Sequence, residues 1–192
     1  MNLNNPLGAS INNYIMKMAL PLAGWFVVEY LIRNAAASSL ALNFMSLPMM
    51  LLTLGLTYYF IKRMRQTLLS GYIAGKLAWS CGVQMTFYAG LIEALFIYVF
   101  NQYISPGNLA ATQEATIQMY TDVLEQLKAT GAYSSWLPKF EETRDQLRDM
   151  PIPSAIEAAI STLSNDLLFA IGYMIPLALI IRRKPNLDKN NA

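Results

Sequence analysis

The residues able to do chemistry in this chain are few, and they sit in apolar surroundings. Glu93 stands alone inside "GLIEALFIYVF" (90–100). Glu29 and Arg33 lie four positions apart at the end of a second apolar run, a spacing that puts them on one helical face. Asp166 lies within a third. Taking a carboxylate out of water is costly unless it is paired or neutralised. Ionisable groups inside membrane segments therefore often mark substrate or ion pathways and proton relays. The plainer alternative is that they join helices by hydrogen bonds, worth roughly 0.6 kcal/mol each, or reach water at an interface. Glu29, Arg33, Glu93 and Asp166 form the candidate polar cluster, with Arg33 expected to pair with Glu29 or Glu93.

Other chemistry is poorly supplied. There is no histidine, and the single cysteine, Cys81, has no partner for an internal disulfide. The usual transition-metal ligand sets are therefore missing. No Gly-rich phosphate loop, nucleophile elbow or basic stripe for nucleic acid occurs. No catalytic residue, cofactor site, metal site or nucleic-acid partner is expected.

The elements that must position the cluster are membrane helices. Hydrophobic residues make up 55% of the 192 and charged residues 14%, against about 25% charged in a typical soluble domain. Mean hydropathy is +0.32. Runs at 15–32, 40–61, 77–104 and 163–181 approach or exceed the roughly 20 apolar residues that cross a hydrocarbon core. The expected fold is all-α: an integral membrane four-helix bundle in one membrane domain, 1–192, with the lipid bilayer as its surroundings. "NAAASS" (34–39) has the small residues of a signal-peptide cleavage site. Only Lys17 precedes the apolar run, however, and Glu29 and Arg33 interrupt its end, so it reads as a retained first span followed by a short turn.

Charge orients the spans. Lys17, Lys62, Arg63, Arg65, Lys76, Arg182, Arg183, Lys184 and Lys189 fall on one side, and acids outnumber bases in 106–153 on the other. Basic loops stay inside, so both termini and the 62–76 turn are expected in the cytoplasm and 106–153 outside. By helical rise, Glu93 lies about 25 Å beyond Lys76, Glu29 about 18 Å beyond Lys17, and Asp166 about 24 Å from Arg182. All three carboxylates then belong to the outer half of a core about 30 Å thick.

The outer segment carries its own helical signals. Ile117, Tyr120, Leu124 and Leu127 share a face, Gly131 breaks the run, and Pro138 with its following acids restarts it. Phe140 and Leu147, seven apart, share a face of the second helix. The segment reads as an extracytoplasmic helical hairpin between spans three and four, with Trp136 at its tip as an interface anchor or a core residue. Ser154 and Glu157 form a capping box opening the last helix. Pro21, Pro48 and Pro176 fall within spans, where proline is tolerated. "GYIAG" (71–75) has GxxxG spacing but reads as a tight turn.

The stretch "RMRQTLLSGYIAGKLAWSCGVQMTFYAGLIEALFIYVFNQYISPG" (63–107), with its Gly-Tyr-Ile start and its exit through Tyr103-Ile104-Ser105-Pro106, resembles a family of bacterial membrane proteins catalogued as domain of unknown function 4199. The resemblance covers most of the chain. It implies four spans, a variable outer insertion before the last, and a bacterial inner (cytoplasmic) membrane location. It implies no activity. Family members are often encoded near a membrane glycosyltransferase, which makes that enzyme a candidate partner.

Three function classes remain. A non-enzymatic scaffold or accessory subunit, with a membrane-protein partner or as a homo-oligomer, is favoured by the lack of a catalytic constellation and by an outer hairpin suited to docking. A small oligomeric transporter or channel would use the outer-half carboxylates, although no inverted repeat is evident. A membrane enzyme acting on a lipid-linked substrate would need those same carboxylates to converge.

Overall fold

A computed structural model describes residues 6–37, 46–130, 135 and 137–183. Its described residues form six α-helices and one π-helical turn: α1 (Pro6–Ala36), α2 (Ser46–Leu68), α3 (Gly75–Val99) continued by the π-helical turn Phe100–Ile104, α4 (Asn108–Thr130), α5 (Leu137–Asp149) and α6 (Ala155–Ile181). Among the described residues three stretches are long and apolar enough to cross a membrane: Leu7–Ala35, Gly75–Ile104 and Ala155–Ile181. They contain the expected spans 15–32, 77–104 and 163–181. Each of the outer two is longer than its apolar core, because nothing stops the helix at the core's edge. At the start of α6 the Ser154 amide donates to Glu157 Oε2 at 2.8 Å, and the Glu157 amide donates to Ser154 Oγ at 3.3 Å. This is the expected capping box, and it starts the helix eight residues before 163.

The expected second span, 40–61, lies partly outside the described residues, at 40–45. Its described portion, α2, runs on past Ile61 and takes Lys62, Arg63 and Arg65 into the helix. No glycine or proline lies between Ile61 and Gly71 to stop it. With that basic end and without residues 40–45, α2 is not among the three apolar candidates. Pro48 falls in its first turn, whereas Pro21 and Pro176 lie inside α1 and α6 without ending them.

The turn after α2 has Ser70 at φ 49° and Gly71 at φ 86°; the second is cheap because glycine has no Cβ. The Gly71 amide bonds the Arg65 carbonyl at 2.9 Å. "GYIAG" is thus a tight turn, as its position suggested. Ile73 then exchanges two backbone hydrogen bonds with Arg183, at 3.3 and 3.1 Å. Arg65 Nη1 donates to the Ile181 carbonyl at 2.6 Å, so a cation closes the negative end of α6.

Helix α3 is central. It packs along α1 on one side and α6 on the other, and α2 leans on α1 and touches both α3 and α6. The shared core includes Ile15 and Leu22 from α1, Ile61 and Met64 from α2, Met85 from α3 and Met174 from α6, all at most 1% exposed. Close approach of α3 to α6 depends on small residues. A Cβ on Gly82 would run into the side chain of Met174, and one on Gly90 would come within 3.0 Å of Leu163 Cδ1. Association through small residues is the usual solution where lipid removes the hydrophobic drive between helices. On the outward faces Leu20, Leu95, Leu168 and Ile180 are more than 60% exposed. A helix apolar all round is stable there only against lipid or protein.

Helices α4 and α5 form the expected hairpin. Leu124 is 2% exposed, the rings of Tyr120 and Phe140 meet at 6.1 Å, and Gln113 Nε2 donates to the Leu147 and Met150 carbonyls. Pro138 sits in the first turn of α5. Gly131 and Trp136 lie outside the described residues.

Candidate functional site

All four members of the candidate cluster line one cavity of about 300 Å³, bounded by α1, α2, α3 and α6. On α1, Glu29 and Arg33 form an ion pair across one helical turn. Helical geometry alone brings an i,i+4 pair together, so this contact needs no tertiary help. Tertiary packing decides how each partner is exposed: the Arg33 side chain is 59% exposed and that of Glu29 8%. Glu29 Oε2 also accepts a hydrogen bond from Thr53 Oγ1 of α2 at 3.4 Å, and Thr53 Oγ1 accepts one from the Trp25 indole at 2.9 Å.

Glu93 lies on the face of α3 that carries Thr86, Ala89, Gly90 and Ile97, all of them buried, and the helix packs against α1 and α6. It is 6% exposed. Of the two partners foreseen for Arg33, the structure selects Glu29. Glu93 comes together instead with Asp166 of α6, which lines the same cavity. Asp166 Oδ2 is sealed from solvent and has no conventional hydrogen-bond donor among the described residues. Gly90 lets α6 approach beside Asp166, since a Cβ there would crowd Leu163 Cδ1 at 3.0 Å.

Below the carboxyl pair, Tyr173 Oη of α6 shares hydrogen bonds with Thr57 Oγ1 of α2 at 3.3 Å and Thr86 Oγ1 of α3 at 3.1 Å. Phe26 and Phe169 supply aromatic wall, and the Phe169 and Tyr173 rings lie 5.1 Å apart. The result is an apolar pocket with a few convergent polar groups, the usual form of a small-molecule site. Thr53, Thr86, Asn165 and Tyr173 belong to its lining but escaped the sequence reading. A hydroxyl in an apolar run is a weaker signal than a charge, and only its depth relative to Glu93 could have singled it out. Among the described residues no group of three His, Cys, Asp or Glu side chains is arranged to hold a metal ion.

A second polar cluster joins the hairpin to the helices. The π-helical turn ends α3 with a Ser105 amide to Phe100 carbonyl bond of 2.7 Å. It leaves Asn101 4% exposed, with Asn101 Nδ2 donating to Tyr30 Oη at 2.7 Å. Asn108 Nδ2 donates to Asn101 Oδ1 and Asn34 Oδ1, and Thr112 Oγ1 also donates to Asn34 Oδ1. This network was not foreseen, because a π-turn has no sequence signature comparable to a cap.

Long apolar helices around a cavity that holds Glu93 and Asp166 mark a multi-pass helical membrane protein. The chain belongs to the family described as Protein of unknown function (DUF4199), whose family model matches residues 17–183. The match runs from within α1 to the residue that pairs with Ile73, so it covers the cavity and the hairpin alike. No curated protein and no solved structure matches the chain.

Proposed function

We propose that this protein is an inner-membrane transporter that binds a small polar solute in the cavity between α1, α2, α3 and α6. In this reading four helices cross the bilayer, both ends and the 62–76 turn face the cytoplasm, and the α4–α5 hairpin stands outside. One observation carries it: Glu93, 6% exposed, and Asp166 both line a cavity of about 300 Å³ between the helices. A pair of acids held only to join helices has no need of an open volume beside it, and packing normally fills such space. An intramembrane acid beside a cavity is the usual mark of a solute or proton path. The test is purification from native membranes in mild detergent, followed by denaturation and mass spectrometry of the small molecules released. A solute should appear with the wild type and be lost from a Thr86→Phe variant that fills the cavity. Absence of any such solute would count against the reading.

The hairpin supports a second reading, an accessory subunit of a membrane complex, with a membrane glycosyltransferase or a second copy as partner. Its favouring observation is the tie of Asn34, Asn101, Asn108 and Thr112, which holds a large polar surface in a set position on the helices. The same purification separates the two, since a stoichiometric protein partner without a bound solute favours the subunit.

A further inference from the structure

The helix ends beside the 62–76 turn enclose a second hollow, which shares no lining residue with the polar cavity. Ile73 and Arg183 exchange two backbone hydrogen bonds, at 3.3 and 3.1 Å, and so hold the start of α3 against the end of α6. Next to that tie an open groove of about 500 Å³ runs between the two helices. Gly75, Lys76 and Trp79 of α3 form one wall; Ile175 and Leu179 of α6, with Arg182 at its C-cap, form most of the other. Helical spacing explains the match. Lys76 and Trp79 are three apart, and Ile175, Leu179 and Arg182 follow at four and three, so each set shares a face. Gly75 contributes no side chain, and the Arg182 stem comes to 4.0 Å from where its Cβ would stand. Trp79 is held in the wall by its indole, which donates to the Ile171 carbonyl at 3.3 Å.

The groove is cationic at one end and apolar along its length. Lys76 and Arg182 are exposed, and among the described residues neither side chain makes a hydrogen bond or an ion pair. Among the described residues no acid is at hand to neutralise them: 46–92 contains no Asp or Glu, and Asp166 lies about 24 Å back along α6. The negative end of α6 does not claim them either, since Arg65 Nη1 already donates to the Ile181 carbonyl at 2.6 Å. Arg65 adds a third, buried positive charge at the same end. Leu179 and Ile175, 55% and 57% exposed, lie one and two turns back from Arg182, within a stretch long and apolar enough to cross a membrane.

A ligand that matches both parts carries negative charge at one end and hydrocarbon at the other. A soluble phosphate has no use for the aliphatic wall, and a zwitterionic head would bring an ammonium against three cations. Basic pockets between membrane helices suit anionic lipid heads. We propose that this groove binds one anionic phospholipid, its phosphate between Lys76 and Arg182 and an acyl chain along Leu179 and Ile175. The Arg182 guanidinium offers phosphate oxygens paired N–H donors, and Lys76 adds a point charge. Trp79 fits the same place, because indole rings favour the level of the headgroups. The site goes beyond the transporter reading and does not depend on the polar cavity; it needs only that α3 and α6 cross a bilayer.

The experiment uses the full chain, purified in detergent and stripped of lipid. It is offered dioleoyl phosphatidylglycerol or dioleoyl phosphatidylcholine, which share acyl chains and differ in head charge, and native mass spectrometry counts the lipid retained. Phosphatidylglycerol should be retained as a single molecule, about twentyfold more tightly than phosphatidylcholine, at roughly fivefold for each of two cations. Lys76→Gln and Arg182→Gln should each lower that preference about fivefold. Both side chains are exposed, so the variants should fold, and thermal unfolding in lipid-free detergent checks this. Arg63→Gln, which removes an exposed cation of α2 outside the groove, should leave the preference unchanged. Equal retention of the two lipids would overturn the proposal. So would a loss from Arg63→Gln equal to that from Arg182→Gln, which would reduce the effect to the general positive charge of this face. Displacement of the lipid by inorganic phosphate at equal concentration would assign the groove to a free anion and overturn it too. Retention of no lipid overturns it as well, and none of these results bears on the search for a native solute in the cavity.

Discussion

Glu93 on α3 and Asp166 on α6 line one cavity, while the guanidinium of Arg33 is held by Glu29 one turn away on its own helix. The local ion pair needs only helical geometry, and it leaves the two remaining acids without that cation. This predicts an asymmetry between substitutions. Glu93→Gln keeps the shape, removes a buried charge and offers the unpartnered Asp166 Oδ2 an N–H donor, so it should fold with stability within about 1 kcal/mol of wild type. Glu93→Ala empties a buried position and offers no donor, and should cost about 2 kcal/mol. Unfolding in mixed micelles measures both, and equal losses would contradict the prediction.

Gly82 should be far less tolerant than Gly24. A side chain at 82 meets Met174 and Ile61, whereas nothing lies within 4 Å of a Cβ at 24. Gly82→Val should cost about 1–3 kcal/mol through overpacking, and Met174→Ala in the same chain should restore part of the loss. Gly24→Ala should be neutral or slightly stabilising, since glycine is a poor helix former. Thermal unfolding of the four proteins is the check.

Topology can be read with thiols. The native Cys81 is buried and should stay silent. A cysteine at Ala129, exposed in α4, should react with an impermeant maleimide in cells whose outer barrier is opened, and one at Gln66, exposed near the end of α2, should not. Reversed labelling would overturn the orientation drawn from the basic residues.

Asn34→Ala removes the acceptor used by both Asn108 and Thr112. Amide exchange should rise in the first turns of α4 while the α3–α6 core is unchanged, because the hairpin's own contacts, Tyr120 with Phe140 and Lys128 with Glu141 at 2.6 Å, do not depend on Asn34. Unchanged exchange at α4 would show that the asparagine network does not hold the hairpin.

Local features of this protein were legible from the residues in order. The Ser154–Glu157 box, the Gly71 turn, the Pro138 restart and the Ile117–Leu127 face each act within a few positions, so spacing alone specifies them. The same holds for Glu29 with Arg33, four residues apart. The cluster of Glu29, Arg33, Glu93 and Asp166 could be named because a charge in an apolar run stands out against its neighbours.

Partners across helices could not be read in that way. A span that is apolar all round has no preferred face in its periodicity, so nothing in "AGLIEALFIYVF" says that Glu93 turns toward Asp166 and not toward Arg33. That choice is made by the rotation and separation of α3 and α6, which follow from Gly82 and Gly90 fitting beneath Met174 and Leu163. Close packing is satisfied only when the side chains of several helices are in place together. The cavity, its hydroxyl floor and the carboxyl pair above it therefore exist only in the assembled fold, because each wall comes from a different stretch of chain.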